Sequence, residues 1–125
     1  MATQVGALSA HIISLLGLSG LQIGQPIYLG ESNILHMKSR HASDYERYGS
    51  FIPDILSSPD YVGQNPSDGS IEYVKQFSIG NDYVKVAVRL SGNHILYARS
   101  LYVLNSKRVH NFIQKGSLKK VWQYS

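Results

Sequence analysis

The stretch Tyr83-Val84-Lys85-Val86-Ala87-Val88-Arg89-Leu90 decides the fold class. Its apolar residues recur at every second position, so Val84, Val86, Val88 and Leu90 share one face of a strand. Tyr83, Lys85, Ala87 and Arg89 share the other. The first face reads as core, the second as an aromatic and cationic surface. Just upstream, Ile71 to Ser78 has the composition of a strand, and Gly80-Asn81 is a tight-turn signal. Downstream, Ser91-Gly92-Asn93 makes a second turn before a strand from Ile95 to Leu104. Three strands joined by two hairpins form an antiparallel meander.

Toward the N-terminus the period becomes helical. Pro26-Ile27-Tyr28-Leu29-Gly30 is a short strand ended by glycine. Ser32 then serves as N-cap for a helix running to about His41. Ser43-Asp44-Tyr45-Glu46 has the spacing of a capping box and should open a second helical piece. Ser50 to Leu56 suggests one or two further turns, with Pro53 early, where its missing N–H loses nothing. Tyr61-Val62 is a brief extended piece before a polar loop from Gly63 to Gly69. After the meander, Asn105 or Ser106 can cap a last helix through about Gln114, with Gly116 past its end. Residues 117–125 suit an added edge strand or a loose tail equally well. Helices followed by an antiparallel meander are the α+β pattern. The expected fold is therefore N-terminal helices packed on one face of a four- to five-stranded antiparallel sheet. The opposite face is left for a ligand. One domain covers 25–125, and residues 1–24 form a segment without assignment.

Bulk composition narrows the chemistry. A chain of 125 residues with 43% hydrophobic and 16% charged residues is one folded domain. It has no cysteine, which removes disulfides, thiolate nucleophiles and Cys-based zinc sites and is compatible with a reducing cytoplasm. The longest apolar run, Ala7 to Leu18, is interrupted by polar residues and too short to span a bilayer. It also lacks the basic flank of a secretory signal. Net charge is +4, but its distribution matters more. Residues 83–125 carry eight Lys/Arg and no acid, whereas all eight Asp/Glu lie within residues 1–82. A carboxylate-free basic half suits a polyanion, because each cation near a phosphate releases counterions.

The histidines point to the chemistry. On a helix from Ser32, Ile34, Lys38 and His41 fall in one stripe, with Met37 at its edge, and His36 and Arg40 in another. His41 then faces the body of the protein and His36 a more exposed, basic side. Residues five apart on a helix diverge by about 140°, unlike the i, i+4 histidines that converge on zinc. No acidic cluster is present to hold two magnesium ions. What remains is the reaction RNA permits without a metal, attack of the ribose 2′-OH on the adjacent phosphate. Histidine suits the two proton transfers, and lysine or arginine suits the charge that develops on the phosphorane.

The order of segments carries a family resemblance. Pro26 to Gly30, Asn33-Ile34-Leu35-His36-Met37-Lys38-Ser39-Arg40-His41, Ile52-Pro53-Asp54-Ile55-Leu56, Pro59 to Pro66 and Ser70-Ile71-Glu72-Tyr73-Val74-Lys75 come first. With the meander through Tyr102 they resemble the phage-associated barnase–EndoU–colicin–RelE-like (BECR) nuclease domains over residues 25 to 105. The resemblance implies a BECR-like RNase fold and a metal-independent endoribonuclease without cofactor, often prophage-encoded or of toxin type. It also implies catalytic roles for His36, His41, Lys75, Arg89, Ser100 and Tyr102. Lys38, Arg40, Lys85 and Arg99 are candidate RNA contacts. RNA, with tRNA among the candidate targets, is the expected partner, and a toxin would add an acidic immunity protein. Action in the cytoplasm of the producing or target bacterial cell, away from membranes, goes with this reading. The competing readings are a non-catalytic RNA-binding module and a phage structural or assembly component.

Overall fold

The structure, a computed structural model, describes residues 2–78 and 80–122. Its centre is the expected meander: β4 (Ile71–Gln76), β5 (Tyr83–Leu90) and β6 (Leu96–Leu104), paired antiparallel. Gly80 and Asn81 both have positive φ, 75° and 57°, which is what a tight hairpin requires of its turn residues. The sheet extends further on both sides than four or five strands. β1 (Thr3–Ala7), β2 (Pro26–Leu29), β3 (Tyr61–Gln64) and β7 (Lys119–Lys120) complete seven strands in the order β1-β2-β6-β5-β4-β3-β7. The sheet is also mixed, because β2 runs parallel to β6. A short strand at Pro26 was expected, but its partner was not legible: the chain returns to β6 only after three α-helices and three strands.

Residues 1–24 contribute to this core. β1 pairs with β2, and α1 (Ala10–Leu16) buries Ile12. Ser9 caps α1 by accepting the Ile12 N–H, and Gly17 ends it in the left-handed conformation. Within the C-terminal segment, Lys119–Lys120 form an edge strand on β3, and residues 123–125 lie outside those described. The segment is fastened to α1, whose His11 Nε2 donates to the Val121 carbonyl at 2.6 Å and whose ring stacks on Trp122. Among the described residues no helix is long and apolar enough to cross a membrane.

α2 (Glu31–Arg40), α3 (Ala42–Tyr48) and α4 (Ile52–Ser57) pack with α1 on one sheet face. Met37, Tyr48, Ile52 and Ile55 from the helices meet Tyr73, Val84, Val86, Val88 and Leu101 from the strands. The inward residue of α2 is thus Met37, 1% exposed, and Lys38 points outward. Two caps differ from expectation. α2 starts at Glu31 behind Gly30, whose N–H is taken by the Asn33 side chain at 2.8 Å, so Ser32 lies inside the helix. α3 starts at Ala42 behind His41, which makes no side-chain cap bond, so Ser43 lies inside the helix and does not cap it; Asp44 in its first turn accepts the Val103 N–H at 3.1 Å.

The second face is only partly open. α5 (Ser106–Lys115), capped by Asn105 and ended by Gly116, lays Val109, Phe112 and Ile113 over Val74, Tyr83 and Leu104. The apolar end of that face draws the helix down, and the polar end stays uncovered.

The core carries one imperfection. The Tyr73 hydroxyl is buried without a hydrogen-bond partner among the described residues, and burial pushes its pKa well above the ordinary phenol value. Removing an unpaired buried hydroxyl relieves its desolvation penalty. Tyr73→Phe should therefore raise stability by roughly 1 kcal/mol, read as a higher urea midpoint at unchanged slope.

Candidate active site

Beyond Tyr97 that edge of β6 has no strand partner among the described residues, because β2 pairs only with Leu96 and Tyr97. The α2–α3 junction occupies that edge, and Asp44 binds the free Val103 N–H there. His41 is the residue at the junction. Its backbone leaves the helical region (φ −143°, ψ 64°), ending α2 and starting α3. That break turns the imidazole onto the uncovered sheet face, where it stacks on Tyr102 with centroids 4.9 Å apart and planes 28° apart. Asp44 Oδ2 lies 4.0 Å from His41 Nδ1, too long for a hydrogen bond but close enough to bias the ring's orientation.

Tyr102 also touches Lys85, whose Nζ lies 4.7 Å from the ring centroid. Lys85 in turn bonds Glu72 Oε2 at 2.7 Å, with both side chains mostly buried, 13% and 18% exposed. Burial alone would lower the Lys85 pKa, but the hydrogen bond to Glu72, with help from Tyr102, outweighs it. The pKa is raised above the ordinary lysine value and the ammonium stays charged. His41, Tyr102, Lys85 and Glu72 thus form one line of contacts across the β6–β5–β4 face. Lys85, Tyr102 and Glu72 open into a cavity of about 240 Å³ whose wall also includes Asn65 and Arg108 of α5. Among the described residues no three His, Asp or Glu side chains converge as metal ligands would.

The other candidates fall into three places. Ser100 lies opposite Ala87 and Arg89 opposite Tyr97, so both are on the face that carries Tyr102. A bulge sets this register: Val88 pairs with Ala98 and Ala87 with Ser100, leaving Arg99 as the extra residue. Strict alternation puts Ala98 beside Ser100, but the bulge sends Ala98 into the core, fully buried. His36 and Arg99 meet at a second, larger cavity near the start of α2. Lys75, Lys38 and Arg40 stand apart from the line of contacts. Lys75 alternates with buried Ile71 and Tyr73, so it belongs to the helix-covered face, and its Nζ donates to the Ser58 carbonyl at 2.8 Å. Lys38 reaches over the Tyr45 ring, and Arg40 is exposed at the end of α2.

Sequence reading passed over Glu72, Asp44 and Arg108. Glu72 could have been found by parity, since it has the opposite parity to core-facing Tyr73 and so shares the Lys85 face. Nothing local in the sequence marks Asp44, whose role depends on the unpaired edge of β6.

Helices packed on a seven-stranded mixed sheet make this an α+β domain, and the family comparison assigns it to the BECR-type nucleases. The chain belongs to the phage-Barnase-EndoU-ColicinE5/D-RelE like nuclease3 family, whose model matches residues 3–111. The match takes in β1 and α1 and ends within α5. No curated protein and no solved structure matches the chain.

Proposed function

We propose that this nuclease is a metal-independent endoribonuclease that cleaves RNA by 2′-OH transesterification. The observation that carries this reading is the contact line His41–Tyr102–Lys85–Glu72 on an otherwise basic sheet face. In the reaction the 2′-oxygen bonds to phosphorus while the bond from phosphorus to the 5′-oxygen breaks. One group removes the 2′ proton and another delivers a proton to the departing oxygen. His41 and Glu72 lie on either side of the Tyr102–Lys85 pair and supply these two groups. Lys85, charged and largely shielded from water, stabilises the phosphorane between them. Arg89, Ser100 and Arg108 line the approach and hold the RNA backbone. Lys75 has no part in this, being on the opposite face.

The test is incubation of purified protein with total RNA and with tRNA in EDTA, followed by mapping of the ends. The expected products carry 2′,3′-cyclic phosphate and 5′-hydroxyl ends. Intact RNA, with salt-sensitive binding retained, would leave a non-catalytic RNA-binding module instead. Should the nuclease act as a toxin in the bacterial cytoplasm, its inhibitor is an acidic protein that covers the basic face.

A further inference from the structure

The larger cavity, about 650 Å³, lies between the first turns of α2 and the β6 bulge. Tyr97, Arg99, His36, Asn33, Ser91 and Glu31 are in its wall. The size is that of a small-ligand site. The bulge makes it possible, since Arg99 is unpaired in the ladder and its side chain lines this cavity. Among the described residues neither the Arg99 guanidinium nor the His36 imidazole has a side-chain partner, and both are exposed. Arg89 sits directly across the ladder from Tyr97 and adds a second cation at its margin. A planar ring beside arginines and an imidazole matches a nucleotide, which offers a stacking base and a phosphate.

Tyr97 and Tyr102 are five residues apart on one strand, about 15 Å at the usual rise. One phosphate therefore cannot engage both. We propose that this cavity is a separate subsite for an unpaired nucleotide of the RNA, upstream or downstream of the one cleaved. Tyr97 stacks the base, and Arg99 and His36 hold the phosphate. Only a single strand can present a free base face to the ring. The subsite rests on the proposed RNA substrate, and it moves His36 from the reacting centre to binding.

The test uses Arg99→Gln and Tyr97→Ala in the full chain, with melting temperature checked for each. The probes are a fluorescein-labelled single-stranded RNA octamer of mixed sequence, its duplex, and dinucleoside monophosphates that reach only the reacting centre. Tyr97→Ala should weaken octamer binding about tenfold and leave duplex binding unchanged. Arg99→Gln should lower the slope of log K against log salt by about 0.7, one single-strand phosphate contact. In cleavage, KM for the octamer should rise while kcat, and all dinucleotide kinetics, stay within about twofold. Unchanged octamer binding overturns the subsite, as does an equal loss of kcat on the dinucleotides. Octamer binding with these dependences but no cleavage removes the endoribonuclease reading and keeps the subsite. Cleavage with unchanged binding does the reverse, and a wild-type protein that binds no RNA overturns both.

Discussion

His41→Ala should lower RNA cleavage by about 10²- to 10⁴-fold, the usual contribution of a positioned acid–base group. The side chain is 43% exposed and takes no part in the core, so stability should change by no more than about 0.5 kcal/mol. Loss of cleavage with an unchanged melting temperature therefore separates chemistry from folding. Tyr102→Leu makes a second arm, keeping bulk on the sheet face but removing the ring on which the imidazole stacks. It should lower activity less than His41→Ala, because the acid–base group is still present but poorly held. Lys75→Ala is the control on the opposite face and should cleave within about twofold of wild type. If His41→Ala cleaves at the wild-type rate, the reacting centre is not on this line of contacts.

The parts of the fold legible in the sequence were those set by local rules. Alternation in Tyr83–Leu90 assigned the core and solvent faces, Gly80-Asn81 placed the hairpin, and Asn105 with Gly116 bounded α5. What was not legible depended on distant pairing. β2 finds β6 in parallel, some seventy residues on, and no feature of Pro26 to Leu29 announces that partner. The position of α5 is similar, since a basic amphipathic helix can cover either face. Leu90, placed with the core valines by parity, is 38% exposed at the end of its strand.

The site shows the same division. Parity put Lys85 and Arg89 on one face, whereas helix phase grouped His41 with Lys38, which is exposed, and His41 lies past the end of α2, so its orientation comes from the chain break. The contact of His41 with Tyr102 needed two further facts. α2 breaks at His41, and the β6 edge is vacant there because β2 is short. The bulge at Arg99 could not be read from Tyr97-Ala98-Arg99-Ser100, and it alone decides that Ser100 faces the site while Ala98 does not. A resemblance to nuclease domains identified the family, but residue type alone could not place Lys75 and Lys85 on opposite sheet faces, because both are strand lysines ten residues apart. Register, not residue type, distinguishes them.

The Lys85–Glu72 pair should separate structure from catalysis in a double-mutant cycle. Each side chain is mostly buried, so removing one leaves the other's charge uncompensated. Lys85→Met and Glu72→Gln should each lower stability by about 1–3 kcal/mol. The double variant should lose less than the sum, with a coupling of about 0.5–3 kcal/mol. Activity should behave differently. Lys85→Met removes the phosphorane's cation and should cut kcat about 10²- to 10³-fold, and Glu72→Gln removes a proton-transfer group. Removing both charges restores neither of these groups, so the double variant should show that coupling in stability yet be no more active than either single variant. The pH dependence gives an independent check. Because the folded pKa of Lys85 is raised above the ordinary 10.5, its contribution to stability is full below that pH and is lost as pH rises through the folded value. Lys85→Met should lack that part of the alkaline decline in stability. A double variant that regained both stability and cleavage would reduce the pair to a strut of the sheet, leaving His41 to act with some other cation.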